Sequence, residues 1–311
     1  MVIDFFRARP QVLGKTMMHF LFLAVSSLLT VQANKGRRDL CGVSVHASDI
    51  PDIGNFSVID ATWRVPDVVP ERDEFDRRAP YISQGVALCC GDDCSTRLAA
   101  GTWASPRDSG HSSSASAMFQ LSPVFGPFLI PAVHHFEFNS SDVLRTRVEI
   151  LEADKAQLTF SKFQNATSHT IITVDLGIRA EKDGTPILNI ATRGNGRDLH
   201  FAYSPRYPDA AEKPVFCGDS AWWYVSDNFD PGDEMQRRRR PLADFSPVLM
   251  ASHGLRTVAG RRFPADLPLS GLARFWNMVR DGNGGSEVLC TARGFVDTGM
   301  TMLQARHPWG V

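Results

Sequence analysis

The chain has 311 residues, 43% of them hydrophobic and 22% charged, and its 33 basic and 34 acidic residues leave a formal net charge of −1. A chain this long buries a large core without depending on cross-links, and its composition is that of a globular protein, which excludes a disordered or collagen-like chain. The near-zero charge supplies no long-range positive field, so nucleic acid is not an expected partner.

The first element is an apolar run at residues 20–33, "FLFLAVSSLLTVQA", preceded by Arg7, Arg9 and Lys15. A spanning helix needs ~20 apolar residues, whereas a secretory leader needs only ~7–15. Val31 and Ala33 place small residues where a signal peptidase inspects the chain, so 1–33 reads as a signal peptide cut after Ala33. Met17 or Met18 is an alternative start, and an uncleaved anchor is the competing reading. No later run reaches spanning length, so no stable membrane span is expected after cleavage. Lys35-Gly36-Arg37-Arg38 follows, either as a dibasic processing site or as an unprocessed basic tail. The tripeptides beginning at Asn55, Asn139 and Asn165 have the form of glycan acceptors, in agreement with export.

Period-2 alternation then predicts strands at 43–47, 56–65, 84–90, 116–121, 133–138, 145–151 and 156–163. The clearest hairpin begins at 172–178, "ITVDLGI", where Ile172, Val174, Leu176 and Ile178 share a face. It turns at Asp183-Gly184 and returns through "ILNIA", with Gly177 read as the mark of a bulge. Further strands are predicted at 198–203, 221–226, 247–252 and 286–295. The Ser- and Gly-rich stretch 101–115 and the stretch 226–243 read as loops, and 270–280, "SGLARFWNMVR", as a helix. The expected fold is mainly β: an antiparallel β-sandwich, lectin-like or jelly-roll-like, with disulfides and at most one or two short helices. It divides into an N-terminal Cys-containing β region at 34–110 and a β-sandwich region at 111–311, or forms one continuous domain, 39–311.

All six cysteines lie after the predicted cut: Cys41, Cys89, Cys90, Cys94, Cys217 and Cys290. An even count in an oxidising compartment reads as disulfides. Neighbours Cys89 and Cys90 point to opposite faces of a strand and so take different partners. The turn at Gly91-Asp92-Asp93 brings Cys94 back toward Cys89 or Cys90, leaves Cys41 for the other, and pairs Cys217 with Cys290. A metal site of Cys89, Cys90, Cys94 and a carboxylate is the rival. Structural zinc usually shows two spaced ligand pairs, and only half that pattern is present. No cofactor or metal is therefore expected.

Gly218-Asp219-Ser220 resembles the start of the GDS-type esterase motif. In that family most of the fold follows the serine, whereas here only 91 residues do, and the tripeptide is also ordinary turn chemistry. Trp222 and Tyr224 face one way on a strand and Trp223 the other, so one face fills the core and the other is free to stack on a sugar or peptide. Packing alone is the more ordinary reading. His135 and Glu137 at strand spacing, joined by His200 or His253, would make a metal site, against solvated or core histidines. Arg237, Arg238, Arg239 and Arg240 form either a polyanion site or a solvated loop. Glu137, Glu149 and Asp175 lie on predicted strands without an evident pairing.

No catalytic constellation is legible. The sequence points to a secreted, disulfide-bonded glycoprotein that binds an unknown protein or glycan ligand, as an effector or immune-modulating factor acting on a host or neighbouring cell. The candidate binding residues are Trp222, Tyr224 and Arg237 to Arg240. The alternatives are a secreted carbohydrate-active enzyme with paired carboxylates ~5–9.5 Å apart, and a virion or cell-surface structural glycoprotein.

Overall fold

A computed structural model describes residues 35–37, 40–69, 82–91, 94, 96–106, 113–122, 124–131, 134, 136–139, 142–164, 168–181, 184–205, 215–226, 244–263, 272–282, 285–296 and 299–304. These residues are nearly all antiparallel β, with no α-helix among them, and form two sheets packed as a sandwich.

The first sheet runs β19 (Arg274–Gly282), β2 (Cys41–His46), β15 (Ser220–Ser226), β5 (Ile82–Cys90), β6 (Thr96–Pro106) and β7 (Ser113–Ser122). On the far side of β7 lie β8 (Phe125–Leu129) and β9 (Glu137–Asn139). The second sheet runs β20 (Gly285–Val296), β21 (Gly299–Gln304), β17 (Val248–Thr257), β3 (Phe56–Arg64), β10 (Val143–Glu152), β11 (Lys155–Gln164), β12 (Ser168–Ala180), β13 (Pro186–Gly194) and β14 (Arg197–Tyr203). The two sheets join where β19 also pairs with β20. Short β18 (Arg262–Phe263) pairs with β17, β4 (Val68–Val69) pairs with β16 (Asp244–Phe245), and β1 (Lys35–Arg37) runs parallel to β19.

Alternation builds the core. Val86 and Leu88 of β5, Ala221, Trp223 and Val225 of β15, Leu144 and Val148 of β10, and Leu158 and Phe160 of β11 belong to one buried cluster. Ile172, Val174, Leu176 and Ile178 join it, so the face read from the β12 alternation is the buried one. Period-2 side chains on both sheets meet between them, as a sandwich requires.

Several local expectations are corrected. The helix expected at 270–280 is strand β19: Phe275 packs toward the main core and Trp276 into a cluster on the sheet's other face, so consecutive side chains diverge as in a strand. Residues 101–106 and 113–115, read as loop, are paired strand, with Gly101 opposite Met118 and Ala104 opposite Ala115. Gly177 makes no bulge. It pairs in register with Lys155 and Asn189.

All six cysteines are bonded. Cys89 pairs with Cys94 across the turn, at a Cα separation of 4.9 Å. Cys90, on the opposite face, reaches Cys217 at 5.2 Å, and Cys41 reaches Cys290 at 5.8 Å. The expected links of Cys41 to the 89–90 pair and of Cys217 to Cys290 are thus overturned. The cause is topological: β19 pairs with both β2 and β20, which brings Cys41 beside Cys290.

Candidate functional site

Each sheet also has an outward face, and the two faces differ in kind. On the first sheet, Trp222 lies opposite Ser44 and Ala87, and Tyr224 opposite Gly42 and Gly85. Trp222 and Tyr224 cluster with Leu40, Ala87, Cys89, Cys94, Ala99 and Trp276, and both rings are buried. Trp222 Nε1 donates to Ser220 Oγ at 2.9 Å, and Trp276 Nε1 donates to Ser44 Oγ at 2.8 Å. Ser44 Oγ and His46 Nε2 are 2.8 Å apart, and the His46 ring stands edge-on to Trp222. The Arg97 guanidinium lies over the Tyr224 ring. Burial pushes the Tyr224 phenol above its ordinary range, against a smaller lowering by Arg97. Trp222 and Tyr224 therefore offer no open stacking platform. Trp223 fills the main core on the other side.

The same strand explains the Gly218-Asp219-Ser220 corner. Asp219 accepts from Asn55 Nδ2 at 2.7 Å and from the Gly91 backbone N–H at 2.8 Å. Ser220 is buried and donates to the Gly91 carbonyl at 3.0 Å. The corner fastens the turn between two disulfides, and its hydroxyl is spent on backbone. It supports no nucleophile.

His134 is fully buried. Its ring nitrogens lie 3.2 Å from the Gly194 carbonyl and 2.9 Å from Thr192 Oγ1, so it pins its segment to β13. His200 sits exposed on β14 opposite Ala191, on the other face of the sheet from Thr192, to which His134 bonds. The side chains of His135, Glu137 and His253 lie outside the described residues, as do Arg237 to Arg240 and Asn165. Among the described residues no three ligating side chains gather into a metal site. Asn55 and Asn139 are exposed.

The outward face of the second sheet is polar across five strands. Asp60 of β3 lies opposite Arg147 of β10 and, through it, Thr159 of β11 and Thr173 of β12. The next row carries Val58, Glu149, Gln157 and Asp175. Arg145 Nη2 donates to Asp60 Oδ2 at 2.8 Å. Arg147 donates to Glu149 Oε2 from Nε at 3.2 Å and Nη2 at 2.8 Å, and Arg256 donates to Glu149 Oε1. Gln157 Nε2 donates to Asp175 Oδ1 at 2.8 Å, and Arg193 pairs with Asp175 Oδ2. Exposed Phe163 and Ile171 continue this face at one end.

This face holds Glu149 and Asp175 of the sequence candidates, separated by Gln157. It adds Asp60, Arg145, Arg147, Arg193 and Arg256, which sequence reasoning missed. The available signal was the alternation of "LRTRVE" at 144–149, which puts Arg145, Arg147 and Glu149 on one face. Asp60 and Glu149 are diagonal neighbours, ~7–8 Å apart in an ideal antiparallel pair, within the range of glycosidase carboxylates. Yet both arginines at Glu149 and the one at Asp60 point N–H groups at the carboxylate oxygens. Both oxygens of Glu149 accept from arginines, whereas Asp60 accepts from Arg145 at Oδ2 only, and its Oδ1 is buried with no hydrogen-bond partner among the described residues. The arginines are more open than their partners: the side chains of Arg145 and Arg193 are 42% and 54% exposed.

No family model and no curated sequence matches the chain. Among solved structures, it is similar to scytalido-glutamic peptidase with a transition state analog inhibitor, at 12% identity and a TM-score of 0.52, over 85% of this chain and 98% of that one. A second structure of that peptidase, with a peptide-based transition state analog, gives 13% identity and a TM-score of 0.51, over 86% and 99% of the two chains. At this identity the likeness is one of fold: a β-sandwich of closely similar extent.

Proposed function

We propose that the chain is a secreted, N-glycosylated binding module that engages a protein on a host or neighbouring cell through the outward face of its second sheet. The observation that carries this reading is the contrast between the two faces. The aromatic strand that would stack on a sugar is buried, whereas Arg193 is exposed and Arg145, Arg147 and Arg256 are half-exposed on a sheet face with three carboxylates. Each arginine keeps guanidinium N–H groups beyond those spent on its carboxylate partner. A mixed-charge surface with open arginines and an apolar end suits a protein partner, because arginine is enriched at interfaces and alternating charge fixes register.

A catalytic reading has less support. A peptidase named for a glutamate needs one facing a cleft. Among the described residues, Glu149 is held by Arg147 and Arg256 and Glu152 by Lys155, and Glu181 is exposed beside a turn. The carbohydrate-active reading meets the same obstacle at Glu149.

The experiment is capture of cell-surface proteins by the immobilised secreted chain, compared with Arg145→Glu/Arg193→Glu and with the control Arg261→Glu, at an exposed position outside the strands of this face. Loss of the same captured species in the double variant, with retention in the control, is the expected result. Equal capture by all three forms overturns the assignment of this face.

A further inference from the structure

We infer that strand β14 is a self-association edge, through which two copies of this chain pair antiparallel about a two-fold axis at His200. The inference stands apart from the binding face proposed above, because among the described residues β14 pairs only with β13.

Natural proteins guard an open edge with proline, charged side chains such as lysine, inward-pointing charges, a bulge or a very short strand. β14, "RDLHFAY", has seven residues, no proline and no lysine. Its pairing with β13 runs without a register shift from Leu188↔Tyr203 to Gly194↔Arg197. Its two charged residues, Arg197 and Asp198, sit at the turn end, and neither has a partner among the described residues. The rest of the strand carries Leu199, Phe201 and Tyr203 on the core-facing side, opposite Thr192, Ile190 and Leu188. Phe201 and Tyr203 are nevertheless 36% and 39% exposed. Tyr203 packs against Phe128 of β8 at 4.6 Å.

The occupant follows from the strand's own register. Antiparallel pairing of two copies centred on His200 places Leu199 opposite the second copy's Phe201, and Arg197 opposite its Tyr203. The first pair is apolar on apolar and the second is cation on aromatic face, both favourable across strands. On the outward side Asp198 meets Ala202, and the two His200 rings meet each other, with no opposed acids. A strand whose self-pairing satisfies every position is matched to a second copy. The exposed sequon residues do not obstruct it: Asn55 precedes β3 and Asn139 ends β9, neither of which pairs with β13 or β14.

The test is sedimentation of the full chain, secreted from a eukaryotic host, at about 10 µM, where a micromolar Kd leaves it mostly dimeric. A dimer is expected. His200→Asp and His200→Lys each put two like charges face to face and are each expected to sediment as monomers. Mixing the two variants is expected to restore the dimer, since opposite charges then meet at the axis. Circular dichroism of both variants should match the parent, because His200 is exposed. A monomeric parent overturns the inference. So does a dimer that persists in both variants, or a mixture that stays monomeric while both variants are folded.

Discussion

Trp222 packs against Trp276 with ring centroids 5.2 Å apart and planes inclined by 32°. The contact joins β15 to β19 across β2, and each indole N–H ends on a serine of an intervening or neighbouring position. Trp222→Ala is expected to cost about 3–5 kcal/mol, as for a fully buried aromatic. Trp223→Ala should cost a similar amount from the other side of the sheet. The double variant Trp222→Ala/Trp276→Ala should cost less than the sum of its parts, because the same contact is removed twice. Urea midpoints of Trp222→Ala, Trp223→Ala, Trp276→Ala and the double variant measure this. Parent-like stability of Trp222→Ala would return that ring to a ligand-binding role.

Gly85 and Gly101 face each other on β5 and β6, and a Cβ on Gly85 would stand 2.2 Å from the Ala100 carbonyl oxygen. Backbone cannot yield as a side-chain tip does. Gly85→Ala is expected to destabilise by about 1–3 kcal/mol. Gly177→Ala meets nothing within 4 Å and sits in an unbroken strand, so it should be neutral or stabilise by about 0.5–1 kcal/mol. Thermal melts that rank the two variants the other way would contradict the close approach of β5 to β6.

Tyr224 gives an alkaline signature. Burial raises its phenol above the ordinary value of 10.0, and Arg97 offsets this only in part. The folded state therefore holds the proton more tightly than the unfolded chain. The corresponding stability is complete below pH 10 and is lost as pH rises beyond it. Tyr224→Phe should flatten that decline. Parallel alkaline stability curves for parent and variant would show that Tyr224 does not carry it.

The disulfides can be mapped without reduction. Linked peptides containing Cys41–Cys290, Cys89–Cys94 and Cys90–Cys217 are expected, with no titratable thiol. The first link spans 249 residues, and Cys41→Ser/Cys290→Ser should lower stability by about 2–5 kcal/mol. A Cys217–Cys290 peptide would contradict the placement of β19 between β2 and β20.

The fold class was legible because alternation is local. Ile172 to Ile178 announce their buried face within seven residues, and Asp183-Gly184 announces the turn. Strand β19 was not legible, since Leu272, Phe275, Trp276 and Val279 also fit a helical stripe. Only pairing with β2 and β20 settles its form, and those partners lie far away in sequence. The cysteine pairings failed for the same reason: Cys89–Cys94 is a turn-scale fact, whereas Cys41–Cys290 depends on strand order. The candidate site was half legible. "LRTRVE" places Arg145, Arg147 and Glu149 together, but Asp60 and Arg256 reach them from other strands of the sheet. Trp222 and Tyr224 were rightly set on one face, yet their burial follows from Leu40, Cys94 and Trp276, which no local pattern connects to them.

The central claim is that the outward arginine face of the second sheet is where a partner docks. Arginine-selective chemical modification, read by mass spectrometry with and without the captured cell-surface protein, tests it most directly. Arg145 and Arg193 should be modified in the free chain and protected in the complex, while exposed Arg261, which lies outside the strands, stays reactive in both. Unchanged modification of Arg145 and Arg193 in a saturated complex would place the partner elsewhere and contradict the claim.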